Sequence, residues 1–135
     1  MSVGRIILVV GLCGVVAALA CGCGSNASFP FERDVVWRAA VGEAVVWRPN
    51  YIDDKTYTIS GSVEDANGRE VRYDIEVNWD PNPFVRRPST RVFVFAKLTQ
   101  PTLPREQRLA DMEREFLARL GQRLQEEYPL AASPQ

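Results

Sequence analysis

The sequence predicts an α+β fold, a two-layer sandwich in which an antiparallel meander sheet of three to four strands packs against two helices on one face. Two patterns carry this prediction. Residues 70–79 alternate between apolar and polar side chains, as in a strand with one buried face. Residues 105–128 place apolar side chains at helical spacing, and a shorter helix signal precedes the strands. A sheet flanked in sequence by an N-terminal and a longer C-terminal helix is therefore expected.

The first 20 residues have the pattern of a targeting segment. Arg5 precedes an apolar run over residues 6–20. A helix of that length spans about 22 Å, whereas a membrane-crossing helix must span about 30 Å. Residues 1–20 are therefore predicted to be a signal peptide that is removed from the mature protein.

The end of this run resembles a lipobox, the cleavage site of bacterial lipoproteins. It reads Leu19-Ala20-Cys21-Gly22-Cys23, so both cysteines follow a small residue. In the lipoprotein family, the thiol of such a cysteine receives a diacylglyceryl group and a dedicated peptidase cuts on its amino side. The resemblance implies a lipid on Cys21, which directly follows the apolar run, or alternatively on Cys23.

The same resemblance implies a location. A lipoprotein is held by its lipid on the extracytoplasmic side of the cell envelope, so the membrane is a partner through the covalent lipid. Gly22 follows the favoured cysteine, and in the family an acidic residue there commonly signals retention in the inner membrane. The outer membrane, facing the periplasm, is thus implied in a cell that has one.

The mature chain is expected to comprise a tether, one domain and a tail. Residues 21–28 are small and polar, which is typical of a flexible tether. Residues 29–129 are long enough for one core and are predicted to be a single domain, and residues 130–135 a frayed tail. This order is similar to that of several groups of small envelope lipoproteins, which have a helix, a sheet and a helix after the anchor.

The first helix of the domain is expected to run from about Ser28 to about Val46. A cap-type serine, Pro30 and early acids mark its start, and Pro49 ends it, because the α region is disfavoured before a proline. Helical spacing predicts one buried face, formed by Trp37, Ala40, Val41 and Ala44.

The antiparallel strands come next. A short strand is expected at 51–54 and an alternating one at 57–64, and Asn67-Gly68 predicts the hairpin turn to the strand at 70–79. That strand is expected to direct Val71, Tyr73, Ile75, Val77 and Trp79 into the core.

The remainder of the domain contains a loop, a strand and the final helix. Residues 80–90 are proline-rich and predict an exposed loop, and residues 91–98 predict a strand that is apolar on both faces. The final helix, from about Arg105 to Tyr128, has an apolar stripe formed by Leu109, Met112, Phe116, Leu120 and Leu124.

The composition excludes several kinds of chemistry. The chain has no histidine, and its three cysteines lie at positions 13, 21 and 23. Imidazole catalysis, a cysteine nucleophile in the domain and a typical zinc site are therefore not expected. The pairs Asp53-Asp54 and Glu64-Asp65 are interpreted as solvated strand ends, because adjacent side chains on a strand point to opposite faces. We expect no catalytic residues, no metal ligands and no cofactor.

The charge balance argues against a nucleic-acid partner. The chain has 16 basic and 17 acidic residues, and loss of Arg5 with the signal peptide changes the net charge from −1 to −2. Nucleic-acid binding normally requires a basic surplus or stripe. Besides the membrane, the expected partner is an envelope protein or a second copy of the chain.

Two places are candidate contacts with such a partner. Phe84, Arg86 and Arg87 combine an apolar side chain with two cations in the exposed loop, which suits a membrane surface or an acidic partner. The alternative is that Phe84 packs against the domain edge. If the alternate residues of that strand face the helices, Phe93 and Phe95 form an aromatic pair on the outer face of the sheet; the alternatives are the opposite facing or cover from the long loop.

These observations predict a membrane-anchored envelope lipoprotein with a non-catalytic adaptor or structural role. The alternative is a small module that binds an amphiphile or another ligand between the helices and the sheet. A pocket lined by Trp37, Trp79 and Phe116 would favour that alternative. An enzyme is the third hypothesis, and it would require acids clustered in a cleft with raised pKa values.

Overall fold

The computed structural model of the protein describes residues 24–99 and 107–129. The elements are strand β1 (Ser25–Phe29), helix α1 (Arg33–Ala44), a 3-10 turn (Val45–Trp47), strands β2 (Tyr51–Asp53), β3 (Thr58–Glu64), β4 (Glu70–Trp79), β5 (Thr90–Leu98) and β6 (Gln107–Arg108), and helix α2 (Ala110–Glu127). The α+β class is therefore confirmed. The signal peptide, Cys21 and Cys23, and the tail over 130–135 lie outside the described residues.

The sheet has more strands than the three to four expected. Five strands lie side by side in the order β1-β5-β4-β3-β2, each antiparallel to its neighbours, and β6 pairs with the end of β5. The predicted meander corresponds to β2 through β5. Residues 25–28, expected in the flexible tether, instead belong to β1. Their small polar side chains do not show the apolar alternation of a strand, and backbone pairing with β5 places them in the sheet.

Both helices begin later than expected. Helix α1 begins at Arg33 rather than near Ser28, because the residues up to Phe29 pair with β5. Helix α2 begins at Ala110 rather than near Arg105, since Gln107 and the residue after it form β6. The buried face of α1 includes the predicted Trp37, Ala40 and Ala44, together with Val36 and Ala39.

The core lies between the helices and one face of the sheet. Side chains on β4 and β5 alternate between buried and more exposed positions, as the pattern predicts. The core side chains of these strands are Val71, Tyr73, Ile75, Val77, Val92, Val94, Ala96 and Leu98. Phe116, Leu117, Leu120 and Leu124 of α2 pack against them. Among the described residues, no helix is both long and apolar enough to cross a membrane.

Trp79 departs from the expected core. It has the same strand parity as Val77, yet its side chain is 45% exposed, whereas Val77 is fully buried. Trp79 is the last residue of β4, and its ring lies near the guanidinium groups of Arg33 and Arg87 instead of in the core. The apolar alternation therefore continues one position beyond the part of the sheet that the core covers.

Candidate contact surface

The loop between β4 and β5 holds Phe84 away from the domain. Its side chain is 92% exposed, so it does not pack against the domain edge. Asn82 shapes the loop, because its side-chain oxygen accepts the N–H of Phe84 at 3.0 Å and its carbonyl accepts that of Val85 at 3.4 Å. Arg86 and Arg87 follow, and both are exposed. The three loop residues selected from the sequence therefore lie on the surface.

Asp80 fixes the base of this loop. Its side chain is fully buried, and one carboxylate oxygen accepts hydrogen bonds from the hydroxyls of Ser28 at 2.6 Å and Ser89 at 3.2 Å. The other oxygen accepts the N–H of Asn82 at 3.0 Å and lies 3.3 Å from Nη2 of Arg91. These contacts, above all the Ser28 hydrogen bond, hold the pKa of Asp80 below its ordinary value. The loop is thereby tied to both β1 and β5.

Beside the loop, Trp79 lies between two arginines. The ring centroid of Trp79 is 5.6 Å from the guanidinium carbon of Arg33 and 5.9 Å from that of Arg87. Arg33 also lies 4.0 Å from the ring centroid of Tyr57. We call Arg33, Tyr57, Trp79 and Arg87 the arginine–aromatic cluster. Because Trp79 and Arg87 are exposed, this cluster extends the surface formed by the loop.

Tyr57 supports the cluster from a conformation that bulky residues rarely adopt. Its φ is 57°, in the left-handed region. Its carbonyl accepts the N–H of Val77 at 3.0 Å, and its hydroxyl donates to Asp34 at 2.7 Å, a hydrogen bond that raises the pKa of Tyr57. Its ring packs edge-on against Trp37, with 5.5 Å between the centroids. The ring over which Arg33 lies is therefore fixed at both its backbone and its hydroxyl.

Phe93 and Phe95 lie on the sheet face away from the helices. Their side chains are half-buried, while the alternate residues of β5 face the core. Glu76 and Asp74 of β4 pair with them across the sheet, and Nζ of Lys97 lies 5.9 Å from the ring centroid of Phe95. The sequence left the facing of this strand open, and the structure places both rings on the outer face, in a mixed polar and aromatic surface with less exposed apolar area than the loop offers at Phe84.

The aromatic residues that would line a ligand pocket do not come together. Phe116 is fully buried with its ring centroid 5.0 Å from that of Trp47, while Trp37 packs on Tyr57 and Trp79 lies at the end of the sheet. A depression of about 440 Å³ does lie where the two helices meet, but charged and amide side chains line it. They are Glu43, Arg119, Gln122, Arg123, Glu126 and Glu127.

A second buried carboxylate, Glu113 on α2, closes the sheet edge formed by β1 and β6. It has no exposed surface and accepts hydrogen bonds from the hydroxyl of Ser25 at 2.7 Å and the N–H of Ala96 at 2.9 Å. Arg108 pairs with it at 2.9 Å. Ala96 lies between the part of β5 that pairs with β1 and the part that pairs with β6. Glu113 therefore accepts a backbone N–H at the point where β5 changes its partner strand.

The role of Glu113 was not predicted, although the sequence contains a signal for it. Glu113 is three residues before Phe116 and seven before Leu120, and so falls on the apolar stripe of α2. A lone carboxylate on such a stripe is buried only if it finds donors. Those donors come from β1, β5 and β6, which are distant in sequence.

No protein-family model matches the sequence, and no curated protein matches it either. Within residues 24–99 and 107–129, no three or more His, Cys, Asp or Glu side chains are grouped so that they could hold a metal ion. The geometry thus defines an α+β sandwich with an exposed loop and an arginine–aromatic cluster at one end of its sheet.

Proposed function

We propose that this protein is a lipid-anchored envelope protein with a non-catalytic adaptor role, and that the loop carrying Phe84 contacts a protein partner. One observation carries the choice of surface: Phe84 is 92% exposed on a loop whose base is tied down by buried Asp80. An exposed phenylalanine forgoes about 2 kcal/mol of burial free energy. A large apolar side chain held in water by a built loop is typical of a contact surface.

The position of the anchor favours a protein partner over the bilayer that holds the lipid. Cys23 directly precedes Gly24, and β1 leads from there to Phe29, beside the base of the loop. A strand of this length spans about 17 Å. With a lipid on Cys21 or Cys23, the bilayer lies near the start of β1, whereas the base of the loop that carries Phe84 lies at its other end.

The anchor itself is supported by the lipobox resemblance around Cys21 and Cys23. Gly22 after the favoured cysteine supports a location on the periplasmic side of the outer membrane, in a cell with two membranes. The lack of histidine in the chain supports a role without imidazole catalysis. We favour an adaptor over an amphiphile-binding module because Phe116 and Trp37 are packed against other aromatic rings rather than around a shared cavity.

A photo-crosslinking amino acid at position 84 tests the proposed contact in living cells. Benzoylphenylalanine keeps an aromatic group at this exposed position, and the matched control is position 46, where Val46 is 63% exposed on the 3-10 turn. We expect a discrete light-dependent adduct from position 84 that mass spectrometry identifies as an envelope protein. The same adducts from both positions, or adducts to lipid alone, would contradict the proposal.

Metabolic labelling with a fatty-acid probe tests the anchor. Wild-type protein should be labelled and remain in the membrane fraction, and either Cys21→Ala or Cys23→Ala should abolish the label. The variant that loses the label identifies the lipidated cysteine. An unlabelled, soluble wild-type protein would show that it is not a lipoprotein.

A further inference from the structure

The loop end of the domain carries three arginines that pair with no acid in the described part of the chain. Within the described part of the chain, no carboxylate oxygen lies within the 4.0 Å salt-bridge distance of Arg33, Arg86 or Arg87. By contrast, Arg91 pairs with Asp80. Nε of Arg33 is also buried without a hydrogen-bond partner among the described residues, which is costly unless another gain offsets it. Arg86 and Arg87 are exposed, so their charge is open to a partner, and Arg33 lies half-buried beside them.

Two of these cations lie beside aromatic rings, and Arg87 also donates from Nη1 to the carbonyl of Ser89 at 3.4 Å. Arg33 lies over the ring of Tyr57, and both Arg33 and Arg87 lie near the ring of Trp79. A guanidinium that contacts a ring through its face keeps its in-plane N–H groups for other partners. Asp34, one residue from Arg33, already accepts the hydroxyl of Tyr57. The cluster thus places the remaining N–H groups of Arg87, which is itself held by Ser89, beside the exposed indole of Trp79.

We propose that the arginine–aromatic cluster binds an acidic segment of the partner protein. Its carboxylates pair with Arg33 and Arg87, and an apolar side chain next to them packs on Trp79. Arginine and carboxylate form two parallel hydrogen bonds, and Trp, Tyr and Arg are the residue types that dominate contact energies at interfaces. The inference rests on the proposed adaptor function and adds the charge and side-chain type that the partner must supply.

A fluorescein-labelled peptide rich in glutamate and aspartate, with one leucine, is the probe. Titrated with the full lipidated protein in nonionic detergent, it should show saturable binding by fluorescence anisotropy. The same peptide with glutamine and asparagine in place of the acids should not bind, because the charge-assisted hydrogen bonds are lost. Failure of the acidic peptide to bind would overturn the inference.

Three variants locate the binding on the cluster. Arg87→Gln and Trp79→Ala should each weaken binding about tenfold, the scale of one charge-assisted contact. The matched control is Arg38→Gln, since Arg38 is exposed on α1 and donates to a backbone oxygen, that of Asp34. Equal affinities of the Arg87→Gln and Arg38→Gln proteins would overturn the inference. Arg87 is an exposed loop residue, so this comparison does not depend on the folding of an Arg33 variant.

Two further outcomes distinguish binding of an acidic protein segment from binding of lipid headgroups and from failure of the proposed function. Displacement of the peptide by dioctanoyl phosphatidylglycerol, but not by the phosphatidylcholine analogue, would assign the cluster to lipid headgroups and overturn it. Specific peptide binding without any adduct from position 84 in cells would instead count against the proposed function and leave the specificity of the cluster established.

Discussion

Glu113 and Asp80 are both buried acids, but Glu113 stabilises an edge of the sheet, whereas Asp80 stabilises an exposed loop. Glu113 bonds β1 and β5 and pairs with Arg108 of β6, so it closes an edge of the sheet. Asp80 ties the loop to β1 and β5, and that loop holds Phe84 in water. Similar buried hydrogen-bond networks thus stabilise the fold at one place and present a surface at the other. Substitutions at the two places should therefore separate stability from binding.

The largest effect on stability is expected at Glu113. Glu113→Ala leaves the N–H of Ala96 and the guanidinium of Arg108 without their carboxylate, and removing one partner of a buried pair costs about 3 kcal/mol or more. Urea unfolding followed by circular dichroism measures the free energy of unfolding. Glu113→Gln retains an acceptor and should lose less. A loss below about 1 kcal/mol for the alanine variant would show that the network does not stabilise the fold.

A smaller effect, with a distinct pH dependence, is expected at Asp80. Its pKa in the folded protein is below the ordinary 3.8, so its ionised form stabilises the fold above that pH. This stabilisation is lost as the pH falls below 3.8 and through the lowered pKa. Thermal melts should show the Asp80→Asn protein unfolding at lower temperature than wild type at neutral pH, with the gap closing in acid. A gap that is independent of pH would refute the ionic role of Asp80.

The smallest effect on stability is expected at Phe84. Because this side chain is 92% exposed, Phe84→Ala should change the free energy of unfolding by no more than about 0.5 kcal/mol. Capture of the partner that crosslinks from position 84 should nevertheless be lost. Val46→Ala, at an exposed site on the 3-10 turn, is the control for both measurements. Destabilisation comparable to that of Glu113→Ala would mean that Phe84 serves the fold.

Elements with local periodicity were predicted well from the sequence. The alternation along 70–79 gives β4, and Asn67-Gly68 lies in the turn that joins it to β3. The apolar stripe gives α2 and its buried Phe116, Leu120 and Leu124, while Leu109 and Met112 of the predicted stripe are only partly buried. A short segment is enough to show these patterns, because buried side chains recur every second residue in a strand and about every 3.6 residues in a helix.

Features that depend on distant contacts were not predicted. Strand β1 has little apolar alternation, and Ser25 pairs with Val94 far along the chain. The exposure of Trp79 depends on where the core ends across the sheet, which the parity of one strand does not reveal. For the candidate contact, the sequence identified the residue types at Phe84 and Arg87, but the network that holds the loop and the cluster around Trp79 required the structure.

Hydroxyl-radical footprinting of Phe84 tests the central claim most directly, because it compares the same side chain in the purified protein and in the intact envelope. Tyr51, which is 55% exposed on β2, provides an internal reference of similar chemistry. If the loop holds Phe84 for a partner, oxidation of Phe84 relative to Tyr51 should fall several-fold in cells. An unchanged ratio of Phe84 to Tyr51 oxidation would show that Phe84 is as exposed in the envelope as in isolation, and would contradict the account.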